Sequence, residues 1–102
     1  MNQMKDLDAN TFREKIKSDE TAVIIDVRTP EEEVEGTING ALNINLMESS
    51  FPAKIMDLDK SKTYYVYCRS GGRSATACQF MEKNGLTAYN LKGGIQAWNR
   101  LN

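Results

Sequence analysis

The stretch TAVIIDV, residues 21–27, constrains the fold more than any other. A strand with one wet face alternates apolar and polar residues. A continuous β-branched run instead marks a strand buried on both faces, as in a parallel sheet covered by helices above and below. TYYVYC, residues 63–68, reads as a second such strand, ALNINL (41–46) and AYNL (88–91) as two more, and a short first strand falls near Gln3 to Asp6. Helical patterns separate them. One runs from Ala9 to Lys17, with Asp8 as N-cap and Leu7 placed to staple onto Phe12. In TPEEEVEG, Thr29 is the N-cap, Pro30 takes the first helical position, Glu32 closes a capping box and Gly36 terminates a short helix. Further helices are expected over Pro52 to Leu58, Arg73 to Asn84 and Ile95 to Leu101. No repeat, low-complexity tract or linker interrupts this alternation. It predicts a single α/β domain over residues 1–102, and a chain of that length supports one core.

The charge balance narrows the function. Thirteen basic residues face 14 acidic ones for a net charge of −1, which offers no excess for a phosphate backbone, so no nucleic-acid partner is expected. The opening MNQMKDLDANTFREKIKSDE carries charges where a signal peptide needs an apolar segment, and no run approaches the ~20 apolar residues that span a bilayer. A soluble, cytoplasmic protein with no membrane partner is the expectation. There is no histidine, which removes Ser/His/Asp and Cys/His nucleophile pairs and most catalytic metal sites. The two cysteines, Cys68 and Cys78, are too few for a structural zinc site and lack the C-x-x-C spacing of a dithiol centre. Neither a metal nor a cofactor is expected.

Ligands of an open parallel sheet bind beyond the carboxyl ends of its strands, and Cys68 is read as the last residue of the most β-rich strand. The following RSGGRS bends tightly because Gly71 and Gly72 accept unusual backbone angles, turning successive N–H groups toward one point above the next helix. The helix dipole and the guanidinium groups of Arg69 and Arg73 add positive character. Such surroundings lower a thiol pKa from about 8.5 into the range of roughly 3.5 to 7.5, so a reactive thiolate needs no imidazole. Cys78 reads differently. With Ala77 and Met81 it falls on one helical face, as a packed and inert thiol.

The segments DVRTPEE, EG.I.GALNI, YCRSGGRSATA and LKGGIQAW, in this order and spacing, resemble the rhodanese-like sulfurtransferases over Met4 to Leu101. The resemblance implies a five-stranded parallel sheet in the order 1-5-4-2-3 with helices on both sides. It also implies a mechanism in which Cys68 attacks the outer sulfur of an anionic donor, carries it as a persulfide and yields it to a nucleophile. Cys68 matches the family's sulfur carrier, and the backbone of Arg69, Ser70, Gly71, Gly72 and Arg73 matches the substrate-binding loop that solvates the persulfide. Asp26 and Arg28 match its D-x-R motif, Glu32 its following acidic position, and Gly93, Gly94 and Trp98 its closing motif. Glu33 stands where the family commonly has an aromatic, and Gly36, Thr37 and Ile38 where it has G-H-I.

Each of these residues also has a structural role in view. Asp26 ends a buried strand, where it accepts loop N–H groups or pairs with Arg28; both are assigned to support. Glu31, Glu32, Glu33 and Glu35 complement the dipole of a first helical turn and read as a solvated face. Trp98 reads as the anchor of the last helix, and Gly93 and Gly94 let that helix start close to the site rim. The resulting expectation is sulfur transfer from thiosulfate or a low-molecular-weight or protein persulfide to cyanide or a thiol. A Cys-loop phosphatase, a non-catalytic binding module of the same fold and a thiol redox sensor remain as alternatives. The phosphatases resemble one another in C-x5-R, whereas Cys68 to Arg73 is C-x4-R.

Overall fold

A computed structural model describes residues 5–101. Its elements are β1 (Lys5–Leu7), α1 (Ala9–Ser18), β2 (Ala22–Asp26), α2 (Pro30–Glu33), β3 (Leu42–Asn43), α3 (Phe51–Met56), β4 (Thr63–Tyr67), α4 (Gly72–Lys83), β5 (Thr87–Leu91) and α5 (Gly94–Trp98). All strand pairs are parallel and the order is β1-β5-β4-β2-β3, the topology the resemblance implies. Part of the expected first strand, Gln3 and Met4, lies outside the described residues.

The period of two along β4 builds both cores. Tyr64, Val66 and Cys68 face one side, with Phe51 and Ile55 of α3 and Ala77, Cys78 and Met81 of α4. Tyr65 and Tyr67 face the other, with Ala9 and Phe12 of α1 and Ile95 of α5. Each fully buried aliphatic or aromatic side chain contributes about 1.5–3 kcal/mol, so the two layers together hold the sheet. The local signals act as their chemistry dictates. Asp8 accepts the Thr11 N–H at 2.8 Å to start α1, and Leu7 and Phe12 pack in the same cluster. Thr29 and Glu32 complete the capping box of α2, and Trp98 meets Phe12 edge-on at 6.2 Å, anchoring α5 on α1.

Several boundaries differ from expectation, α3 running over Phe51–Met56 rather than to Leu58. β3 shrinks to two residues because the chain bends away after Asn43, although the Ile44 and Leu46 N–H groups still donate to the carbonyls of Asp26 and Val27. α5 ends at Trp98, and its last residues pass into a turn. β4 ends at Tyr67, so Cys68 is the first residue of the loop. Its side chain nevertheless keeps the strand's alternation and points toward the α4 layer. Among the described residues no helix is long and apolar enough to cross a membrane.

Candidate active site

The loop from Cys68 to Gly72 closes on its own first side chain. Gly71, with φ of 108°, is the N-cap of α4 and reverses the chain. Its N–H donates to Cys68 Sγ at 3.1 Å. In the first turn of α4, Ser74 donates twice to the same sulfur, from its N–H at 3.4 Å and its hydroxyl at 3.3 Å. Cys68 is 1% exposed and Ser74 fully buried. Burial pushes the Cys68 thiol up, but the Ser74 hydroxyl and the N–H groups of Ser74, Gly71 and Ser70 together outweigh it and leave the pKa below that of an ordinary thiol. A ring of donors converging on a sulfur at a helix N-terminus stabilises negative charge on that atom.

The end of the sheet supports this ring from two sides. Gly94 accepts φ of 62° and brings α5 against the loop, where the Ile95 N–H donates to the Cys68 carbonyl at 2.9 Å and the Gln96 N–H to the Arg69 carbonyl at 3.3 Å. A Cβ on Gly94 would collide with the Arg69 carbonyl oxygen and come within 2.6 Å of the Cys68 oxygen, so only glycine fits. On the other side Asp26 and Arg28 form a buried pair. Arg28 Nη2 reaches Asp26 Oδ2 at 2.8 Å, Nε lies 2.9 and 3.1 Å from the two oxygens, and the Arg28 N–H donates to Asp26 Oδ1 at 3.0 Å. The same guanidinium donates to the carbonyls of Gly36 at 2.7 Å and Glu32 at 3.3 Å, fastening α2 to the end of β2.

Glu31 to Glu35 are more than a solvated face. Glu32 takes Arg73 in a two-point ion pair, at 2.7 and 2.8 Å, and Glu35 takes Arg69 at 2.7 Å. Arg73 and the Thr29 cap hold the Glu32 carboxyl well below the usual carboxylate range, at about 2, against the opposing effect of burial. Both guanidinium heads are therefore engaged by carboxylates of α2 and its C-terminal turn, and hydrogen bonds lead the depression of the thiol pKa.

Two polar residues escaped the sequence reading. Ser74 falls inside the helix expected over Arg73 to Asn84, and its place in the first turn after a cysteine loop is the available signal. Asn90, buried on β5, donates through Nδ2 to Asp6 at 2.8 Å and to the Gly71 carbonyl at 3.3 Å; a polar residue at an inward position of a strand was the available sign. Cys78 is buried in the α4 layer, and burial drives its pKa upward, the opposite of Cys68. Among the described residues no cluster of His, Cys, Asp and Glu could hold a metal ion.

Comparison with known proteins agrees with this architecture. YtwF of Bacillus subtilis strain 168 is 38% identical over 96 residues, covering 94% of this chain and 91% of its own. A sulfurtransferase of Allochromatium vinosum is 32% identical over 98 residues, covering 95% and 90%. The crystal structure of SSP1007 from Staphylococcus saprophyticus superposes with a TM-score of 0.82 at 36% identity, covering 93% of each chain. The rhodanese-like domain family matches residues 8–101. With that match spanning nearly the whole chain and the sheet order of the fold in place, this chain belongs to the rhodanese-like domain family.

Proposed function

We propose that residues 1–102 form one domain that acts as a sulfurtransferase in the cytoplasm, with Cys68 as the sulfur carrier. Homology to a sulfurtransferase supports sulfur transfer in general. The observation that carries the finer reading is the convergence of the Gly71 N–H, the Ser74 N–H and the Ser74 hydroxyl on Cys68 Sγ. A thiolate so held attacks the outer sulfur of thiosulfate. The new bond joins Sγ to that sulfur, the donor's S–S bond breaks, and its electron pair leaves on sulfite. A persulfide donor delivers sulfur in the same way, with a thiolate as leaving group. The outer sulfur of the Cys68 persulfide carries the negative charge and is solvated by the loop backbone from Arg69 to Arg73. Cyanide or a thiol then attacks it, and the pair of the broken S–S bond returns to Cys68.

Arg69 and Arg73 serve the donor differently. The Arg69–Glu35 pair has side chains 47% and 60% exposed, so it is worth little in water and exchanges readily for a dianion. Arg73 is held more firmly by Glu32 and braces the first turn of α4. That engagement, with the C-x4-R spacing, disfavours a phosphatase, which would need the arginine free for phosphate oxygens and a wider ring. A redox sensor would need a second thiol that ionises readily, and burial pushes the Cys78 thiol up. Asp26, Arg28, Glu32, Gly93, Gly94 and Trp98 support the loop from behind.

Steady-state formation of thiocyanate from thiosulfate and cyanide tests the reading. Cys68→Ser abolishes it and Cys78→Ala leaves it largely intact. Turnover in Cys68→Ser close to that of the parent protein, or Cys68-dependent hydrolysis of an aryl phosphate without sulfur transfer, would overturn the reading.

A further inference from the structure

Asn90 is a polar side chain set into an apolar layer. The strand register places Asp6, Asn90 and Val66 side by side, and Val66 belongs to the α4 layer. Paired residues of neighbouring parallel strands share a face, so Asn90 enters the side of the sheet on which the Cys68 thiol lies. It is 3% exposed. Nδ2 donates to Asp6 Oδ1 at 2.8 Å and to the Gly71 carbonyl at 3.3 Å. Both partners are acceptors, which fixes the amide with its nitrogen toward the loop. Oδ1 is left buried, with no hydrogen-bond partner among the described residues. An apolar side chain would sit beside Val66 without that cost, so the amide is explained by what its nitrogen does.

The Gly71 carbonyl is where several donors meet. It accepts the Ala75 N–H at 3.1 Å and the Asn90 amide at 3.3 Å, and it lies 3.3 Å from the Ser74 hydroxyl. A carbonyl oxygen has two lone pairs. With Ala75 and Asn90 on them, a further donor bonds poorly. The single hydrogen of the Ser74 hydroxyl is then turned toward its other acceptor, Cys68 Sγ, also at 3.3 Å. The loop is seated closely on the end of β5, just past Asn90. A Cβ on Gly71 would lie 3.2 Å from the Gly93 nitrogen and 3.4 Å from the Leu91 carbonyl oxygen, so the Gly71 peptide has little room to turn away from the amide.

We propose that Asn90 is a positioning residue for the sulfur carrier: by occupying the Gly71 carbonyl it directs the Ser74 hydroxyl to Cys68 Sγ. The inference rests on the reading of Cys68 as the sulfur carrier and adds a residue that acts on the thiol only through Gly71 and Ser74. Without the amide, Gly71 regains a free lone pair and draws the hydroxyl hydrogen to itself. The thiolate then loses part of a donor, and a thiolate with fewer donors is the stronger base, so the Cys68 pKa rises.

Asn90→Leu keeps the branched shape and removes both donors. Alkylation by iodoacetamide is followed against pH in a Cys78→Ala background, once with Ser74 in place and once with Ser74→Ala. With Ser74 in place, Asn90→Leu raises the midpoint by about 0.3–0.5 unit, so that well below it the rate falls about two- to threefold. With Ser74→Ala, the same substitution moves the midpoint no further. A merely structural residue would not produce that dependence on Ser74. Arg73 of α4, whose charge faces Cys68, and Asp6 of β1 are present in all four proteins, and their effects cancel in the cycle. Where Asn90→Leu does not fold, Asn90→Ala, which adds no volume, takes its place. A midpoint unmoved in the folded variant, or equal shifts with and without the Ser74 hydroxyl, overturns the proposal while leaving sulfur transfer intact. Failure of the parent protein to take sulfur from thiosulfate or polysulfide overturns the sulfur-transfer reading instead; the alkylation series needs no sulfur donor and still decides the role of Asn90.

Discussion

Ser74→Ala isolates the contribution of the one side-chain donor in the sulfur cradle. Alanine removes the hydroxyl at 3.3 Å from Cys68 Sγ and keeps the backbone N–H at 3.4 Å, with no change in helix register. A hydrogen bond to a charged group is worth ~1.5–3 kcal/mol. The hydroxyl has a single hydrogen, however, and the Gly71 carbonyl competes for it at the same 3.3 Å. About half of that remains, ~0.8–1.5 kcal/mol, which corresponds to about half a pKa unit to one unit. The sign follows from the charged partner: losing a donor to the thiolate raises the Cys68 pKa. The pH dependence of alkylation by iodoacetamide, followed in a Cys78→Ala background so that Cys68 alone reacts, measures it. The midpoint moves up by about half a unit to one unit, so that well below it the rate falls about three- to tenfold. Above both midpoints the two proteins react at similar rates, the more basic thiolate being slightly the better nucleophile. A midpoint that stays in place in a folded Ser74→Ala protein refutes the assignment of the hydroxyl to the thiolate.

Asp26→Asn leaves the Arg28 guanidinium buried without its counter-charge and costs about 3–5 kcal/mol, read as a fall in the denaturant midpoint. Gly94→Ala forces a methyl into the carbonyls of Cys68 and Arg69 at a positive φ; it lowers stability by at least about 2 kcal/mol in thermal unfolding and reduces sulfur transfer with it. The depressed Glu32 carboxyl, at about 2 against an ordinary 4.5, contributes stability that is fully present above pH 4.5 and lost as the pH falls toward 2. After screening this amounts to on the order of 1–2 kcal/mol, so acid unfolding curves of the parent and Glu32→Gln proteins converge in that window and separate above it.

The sheet and its order were legible because β2 and β4 are apolar without interruption, which leaves a doubly covered parallel sheet as the fitting arrangement, and because family motifs fix the crossing order. The capping box at Thr29 and Glu32 was legible for the same local reason: both partners lie within one helical turn. Contacts between distant segments were not. Nothing in the chain announces that Glu32 meets Arg73, 41 residues on, or that Glu35 meets Arg69, so the acidic run reads as a solvated face and the arginines only as positive character beside the thiol. Ser74 was hidden by its ordinary helical context, although the alternation of TYYVYC, carried one step further, places Cys68 on the α4 side where Ser74 waits. β3 was overextended because ALNINL keeps an apolar pattern after the ladder has become irregular; its later N–H groups still bond to Asp26 and Val27, but out of strand geometry.

The central claim is that Cys68 itself carries sulfur. Intact mass of the purified protein before and after thiosulfate, followed by peptide mapping under non-reducing conditions, tests it most directly. The account predicts one added sulfur atom, found on the peptide containing Cys68, released by cyanide and absent from Cys68→Ser. Sulfur mapped to Cys78, or an adduct that persists in Cys68→Ser, contradicts it.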